Sequence, residues 1–156
     1  MKHFLPIIVL SLMLIGCTSN TIYSHYESLP ISGWCADSTI RFPFEITDSL
    51  AHYDMVVNLR HTDNYPFQNV WFFTELYLDS TLLEKDTLNY YLADQRGRWL
   101  GNGAAGKHDM PTLYKQNVRF ASTGQYSLHV THGMRTEQLN GCSDLGLTIS
   151  LRPESN

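Results

Sequence analysis

Apolar and polar residues alternate with a period of two along most of this chain, and no window sustains a 3.6-residue apolar period of helix length. Leu145, Leu147, Ile149 and Leu151 interleave with Gly146, Thr148 and Ser150, and Tyr126, Leu128 and Val130 with Ser127, His129 and Thr131. Tyr53, Met55, Val57 and Leu59 face one way while Asp54, Val56, Asn58 and Arg60 face the other. Further strands are expected over 39–46, 69–78, 86–92 and 117–120, about seven or eight in all, separated by turn residues such as Asp48-Ser49, Asp94-Gln95-Arg96-Gly97 and Asn140-Gly141. A one-sided sheet needs a second sheet to bury its apolar face. The predicted fold is therefore all-β, a two-sheet antiparallel β-sandwich of jelly-roll or Ig-like kind, with a small closed barrel as the alternative that shares this period. A composition of 43% hydrophobic and 17% charged residues suits a buried core, and a net charge of −4 argues against binding nucleic acid.

The N-terminus follows a different logic. Met1-Lys2-His3 precedes an uncharged run from Phe4 to Ile15, too short to span a bilayer but matching a signal peptide. It ends Leu14-Ile15-Gly16-Cys17, which resembles the bacterial lipobox. Residues 1–16 are expected to be removed and Cys17 lipidated, giving a membrane anchor of more than one acyl chain. Residues 17–26 read as a polar tether and 27–152 as one domain. The tether lacks the acidic run after the cysteine that resembles a surface-export signal, so a periplasm-facing placement at the outer membrane is expected.

Few residues point to chemistry. Gly101-Asn102-Gly103-Ala104-Ala105-Gly106 fits a dinucleotide-binding spacing, but Pro111 follows where a helix should extend, and a Gly-rich hairpin loop is the better account. His25, His52, His61, His108, His129 and His132 show no metal-ligand spacing and are expected on the solvated surface, so no metal or other cofactor is implied. Asp63, Glu75, Asp79, Glu84 and Asp86 are carboxylates that a sandwich glycosidase could use in pairs, but no nucleophile motif is present and no enzyme is expected. Trp71, in an all-apolar Val70-Trp71-Phe72-Phe73, is expected to be buried; Trp34 and Trp99, beside Gly33 and Gly101, are candidates for a recognition surface.

Several segments together resemble the gliding-motility lipoprotein GldH family of the Bacteroidota. They include Tyr26-Glu27-Ser28-Leu29-Pro30 with Gly33-Trp34, the long stretch from Val57 to Trp71, Asp86 to Asp94, Gly97-Arg98-Trp99-Leu100-Gly101 and Tyr114 to Phe120. Gly124-Gln125-Tyr126, Met134-Arg135 and Asp144-Leu145-Gly146-Leu147 extend the match towards the C-terminus. The resemblance implies a lipid-anchored, non-enzymatic envelope component that acts as a scaffold, associated with gliding motility and type IX secretion, whose partners are other envelope proteins. The loops carrying Asp63, Tyr65 and Pro66, and Arg98, Trp99 and Gly101, are the expected partner surface. The alternative is a carbohydrate-binding lipoprotein using Trp34 or Trp99.

Three cysteines complete the reading. With Cys17 taken by lipid, Cys35 and Cys142 remain, and an exported domain folds where a disulfide between them can persist. That bridge would close a loop of roughly 100 residues, worth up to about 4.7 kcal/mol in the chain-entropy model.

Overall fold

A computed structural model describes residues 20–153. The leader and Cys17 lie outside the described residues. Eleven strands occupy the described chain: β1 Thr21–Ser28, β2 Trp34–Cys35, β3 Ile40–Ile46, β4 Tyr53–Thr62, β5 Asn69–Leu78, β6 Thr81–Tyr91, β7 Asn102–Ala104, β8 Lys107–Val118, β9 Gly124–His132, β10 Gln138–Leu139 and β11 Cys142–Leu151. They form a five-stranded sheet ordered β1-β11-β4-β8-β7, a four-stranded sheet ordered β3-β9-β5-β6 and the small pair β10-β2, with every pairing antiparallel.

The alternation seen in the sequence is the alternation of the core. Met55, Val57 and Leu59 of β4 and Leu145, Leu147 and Ile149 of β11 face Phe42, Phe44 and Ile46 of β3, Val70 and Phe72 of β5, and Tyr126, Leu128 and Val130 of β9 in one buried cluster. Two one-sided sheets thus close over each other, as the sandwich reading requires.

Five elements depart from expectation. The stretch expected as tether up to Tyr26 is ordered from Thr21 as edge strand β1, running along β11 from Thr21↔Ser150 to Ser28↔Asp144. Its side chains are mostly polar and exposed, so it carries no apolar stripe; it is held by its backbone ladder and by Tyr26, whose ring lies over Gly146 and beneath the Arg60 guanidinium, 4.0 Å from the ring centre. A Cβ on Gly146 would sit 2.6 Å from that ring, so a bare backbone is needed there. The strand expected over 117–120 is where β8 ends: Asn117 adopts a positive φ of 56° and its N–H is accepted by Asp54 Oδ1 at 2.7 Å. β8 itself is masked in sequence because its one fully inward position is Thr112, whose hydroxyl donates to Val57 O at 2.6 Å. The strands β2, β7 and β10, two or three residues each, are too short to show a period.

Strand directions define two ends. Thr21, Tyr53, Val118 and Leu151 lie at one end of the five-stranded sheet, and Ser28, Thr62, Lys107 and Cys142 at the other. Ring contacts of Tyr23 with Phe44 and His25 with Phe42 set the facing sheet in the same sense. The loops around 48–52, 79–80 and 119–123 therefore share the end where β1 begins, and those around 63–68, 94–106 and 133–141 share the end where it finishes, the far end.

Candidate functional site

The far end gathers most of the residues expected on a partner surface around one aromatic cluster. A turn at Asp94–Arg98 sets up the Ala93↔Trp99 bridge, which brings the Trp99 ring 4.5 Å from that of His61 and 5.6 Å from that of His108. Asp94 builds the turn by accepting from the Arg96 and Arg98 amides and from Arg98 Nε, and the Arg98 amide is the leading reason its carboxyl titrates below its ordinary range. Arg98 is thus exposed yet engaged by its own turn. Asp63 Oδ1 meets His108 Nε2 at 2.7 Å, and the His108 ring stacks on His61. Asp63, Trp99, Gly101 and His108 line one shallow cavity, while Pro66 is exposed beside it. Tyr65 differs from the rest. It is buried, its hydroxyl donates to Asn69 O at 2.9 Å, and burial raises its pKa well beyond the ordinary phenol range. It is a plug under the far end and cannot itself touch a partner.

Two of the histidines expected on the surface are core residues. His132 is satisfied on both sides: Nε2–H donates to Trp34 O at 2.9 Å and Nδ1 accepts the Met134 N–H at 3.3 Å. His61 Nδ1–H donates to Thr62 O at 3.1 Å, since a carbonyl only accepts, and its buried Nε2 is left without a partner among the described residues. Burial is the main reason both titrate below the ordinary imidazole value. Period-two reasoning puts both on inward positions, but the sequence does not show the backbone carbonyls that make such burial tolerable.

The tryptophans exchange the places expected for them. Trp34 has no exposed surface: it packs on Phe72 and His132 and donates from Nε1 to Ser38 O at 2.9 Å. Trp71 is 39% exposed and Phe73 49%, because Val70 and Phe72 take the inward positions of β5 and leave the odd-numbered residues outside. With Phe67, Asn69, Thr87, Met134 and Arg135 they line a groove of about 570 Å³ on the outer face of the four-stranded sheet. Its walls are set by backbone contacts: the Gly133 N–H donates to Trp71 O at 2.7 Å and the Trp71 N–H to the Met134 sulfur at 3.3 Å. A Cβ on Gly133 would stand 2.9 Å from the Phe73 ring, so the glycine lets that ring lie against the 133–135 segment. The groove runs on to the far-end cluster through Phe67, whose ring lies 6.0 Å from Tyr65.

The Gly-rich segment is a hairpin, as read from the sequence. Ala105 and Gly106 form its tip with φ of 52° and 75°, the signs a tight two-residue turn needs, and β7 and β8 are its arms. Cys35 and Cys142 are both free thiols, so the expected bridge is not formed. Cys35 pairs across to Gln138 in the small sheet, while Cys142 pairs across to His61 in the five-stranded sheet, and burial pushes the Cys142 thiol up to about 12. A thiol so held is a neutral, poorly nucleophilic core residue. Among the described residues no three His, Cys, Asp or Glu side chains are grouped to hold a metal ion.

The model of the GldH lipoprotein family matches residues 21–149, which spans every strand of the sandwich except the final residues of β11. This chain belongs to the GldH lipoprotein family. It is 30% identical over 150 residues to the gliding motility lipoprotein GldH of Flavobacterium johnsoniae, covering 92% of each chain. It is also 30% identical over 141 residues to a gliding motility lipoprotein GldH homolog of Christiangramia forsetii, covering 86% of each. Among solved structures, chains of infectious bursal disease virus are matched: the Gx strain structure at a TM-score of 0.39 and 15% identity, covering 86% of this chain and 30% of that one, and the VP2 subviral particle at 0.39 and 13%, covering 84% and 33%. The GldH match includes both the far-end loops and the groove, so both surfaces lie within the family domain.

Proposed function

We propose that this GldH-family chain is a non-enzymatic scaffold of the cell envelope, lipidated at Cys17 and anchored to the periplasmic face of the outer membrane, that binds protein components of the gliding and type IX secretion machinery. The family membership supports the setting, and the relatives' names supply the link to motility. The observation that carries the binding role is the groove. Trp71 and Phe73 stand on a strand whose alternate positions already fill the core, so their exposure is not required for folding. Aromatic residues, Met and Arg are the side chains enriched where proteins meet, and Phe67, Trp71, Phe73, Met134 and Arg135 supply all three kinds here. On this reading the partner surface comprises the groove and the far-end rim, with Asp63, Pro66 and Arg98 exposed, Trp99 and Gly101 half-buried, and Tyr65 as its support.

The test is crosslinking in intact membranes followed by affinity purification and mass spectrometry, comparing the native chain with Trp71→Ser/Phe73→Ser. Motility or secretion components recovered with the native chain and lost with the variant are the expected result. Equal recovery from both chains would overturn the assignment of the groove. The carbohydrate-binding alternative moves with the exposed aromatics: Trp34 is buried, whereas Trp71 beside Asn69, Thr87 and Arg135 offers a stacking face with polar neighbours. Glycan-array binding that depends on Trp71 would favour it over scaffolding.

A further inference from the structure

From the direction of β1 we infer that the domain stands on the bilayer by its near end, with the 48–52 turn as the contact that enters the headgroup region, and presents the aromatic cluster away from the membrane. The inference rests on the proposed anchoring at Cys17. Only Thr18, Ser19 and Asn20 separate that cysteine from the first residue of β1. Four residue steps span at most about 14 Å when fully extended, so the near end cannot leave the membrane surface. The eight residues of β1 then carry the chain about 26 Å towards the far end.

Near-end chemistry suits a lipid surface. Leu50 is the most exposed apolar side chain there, at 74%, and it is held at the tip of its turn by Asp48, whose Oδ1 accepts the Leu50 and Ala51 N–H groups at 2.8 and 3.2 Å. That turn is fastened to the core by the Tyr53 hydroxyl, which donates to Asp48 O at 2.7 Å. Leu151, Arg119 and Arg152 are exposed at the same end, where Arg152 is paired with Asp54 at 3.2 Å and Asp48 and Asp79 are also exposed, so the apolar tip rather than net charge distinguishes it. Side-on docking through the outer face around β1 would instead press Glu27 and Asp144, partnered with His25 and the Ser28 and Ser143 hydroxyls, against lipid phosphates. An exposed apolar tip held within reach of a short lipidated tether is the arrangement that settles at the headgroup boundary.

The native tryptophans provide the test, because Trp34, Trp71 and Trp99 all lie in the far half of the domain. The full-length lipidated protein is incorporated into vesicles of phosphatidylethanolamine and phosphatidylglycerol, with and without chain-brominated lipid, as the native chain and as Leu50→Trp. The added tryptophan replaces an exposed tip residue and leaves the core untouched. Its emission is expected to fall by about half or more with brominated lipid, since a side chain at the interface sits roughly 5–10 Å into the boundary. Native emission is expected to stay unchanged. If the vesicles carry the protein and Leu50→Trp is not quenched, or the native tryptophans are, the orientation is overturned while the anchor stands. If the native chain fails to float with the vesicles, or Cys17→Ser floats as well as the native chain, the anchor reading falls and takes the orientation with it.

Discussion

On the outer face of the five-stranded sheet, Asn58 Nδ2 donates to the Thr148 hydroxyl at 3.0 Å, Thr148 meets Ser24, and Tyr26 lies between Gly146 and Arg60. On the outer face of the four-stranded sheet, the corresponding outward positions of β5 hold Trp71 and Phe73 and open a groove. Both faces belong to the same sandwich and follow the same alternation, so folding places no demand for aromatics on the second. The first face combines these polar pairings with the exposed aliphatic Leu113, at 49%. The second departs from that pattern, and the departure is where a partner is expected.

The comparison can be broken most severely from the inside. Phe72→Ala, one residue from both exposed aromatics, should cost about 3–5 kcal/mol in chemical denaturation because it opens a cavity between the sheets. Trp71→Ser with Phe73→Ser should change stability by no more than about 1 kcal/mol while abolishing partner recovery; a loss as large as that of Phe72→Ala would make the outer aromatics structural. On the polar face, Gly146→Val should cost about 1–3 kcal/mol by driving the Tyr26 ring off its seat, and it should leave partner recovery intact in protein that remains folded.

Acid should act on the groove side. Above the ordinary imidazole value of 6.5, His61 and His132 are neutral in both folded and unfolded chains and contribute no pH dependence. Below it the unfolded chain takes up protons that the folded chain resists, so stability falls as pH drops. Protonating His132 Nδ1 would also break its bond from the Met134 N–H, in the segment that walls the groove. Thermal unfolding from pH 7.5 to 5.5 should show a falling midpoint, with a shallower slope in His61→Phe. The smallest effect expected is none: reducing agent should leave the unfolding midpoint unchanged, because Cys35 and Cys142 are free, and a drop of several degrees would reveal a bridge.

Much of this architecture is legible in the residues. The stripes on β4, β9 and β11 give the sandwich directly, and the bounds expected for β5, 69–78, coincide with those observed, because burial on one face leaves its mark at every second position. What stayed hidden depends on partners distant in sequence. β1 is polar and exists through its ladder to β11; Trp34 and His132 are buried because each finds a backbone carbonyl; Trp71 reads as core until Val70 and Phe72 are seen to claim the interior. The site followed the same rule. Asp63, Arg98, Trp99 and Gly101 do gather at one end, while the groove from Phe67 to Arg135 joins segments more than sixty residues apart that no spacing announces.

The most direct measurement is site-specific photo-crosslinking in living cells, with a crosslinking amino acid placed at Trp71 on one outer face and at the exposed Ser24 on the other. The scaffold account predicts discrete adducts with envelope motility or secretion proteins from position 71 and none from position 24. Adducts from position 24 alone, or an identical set from both positions, would contradict it.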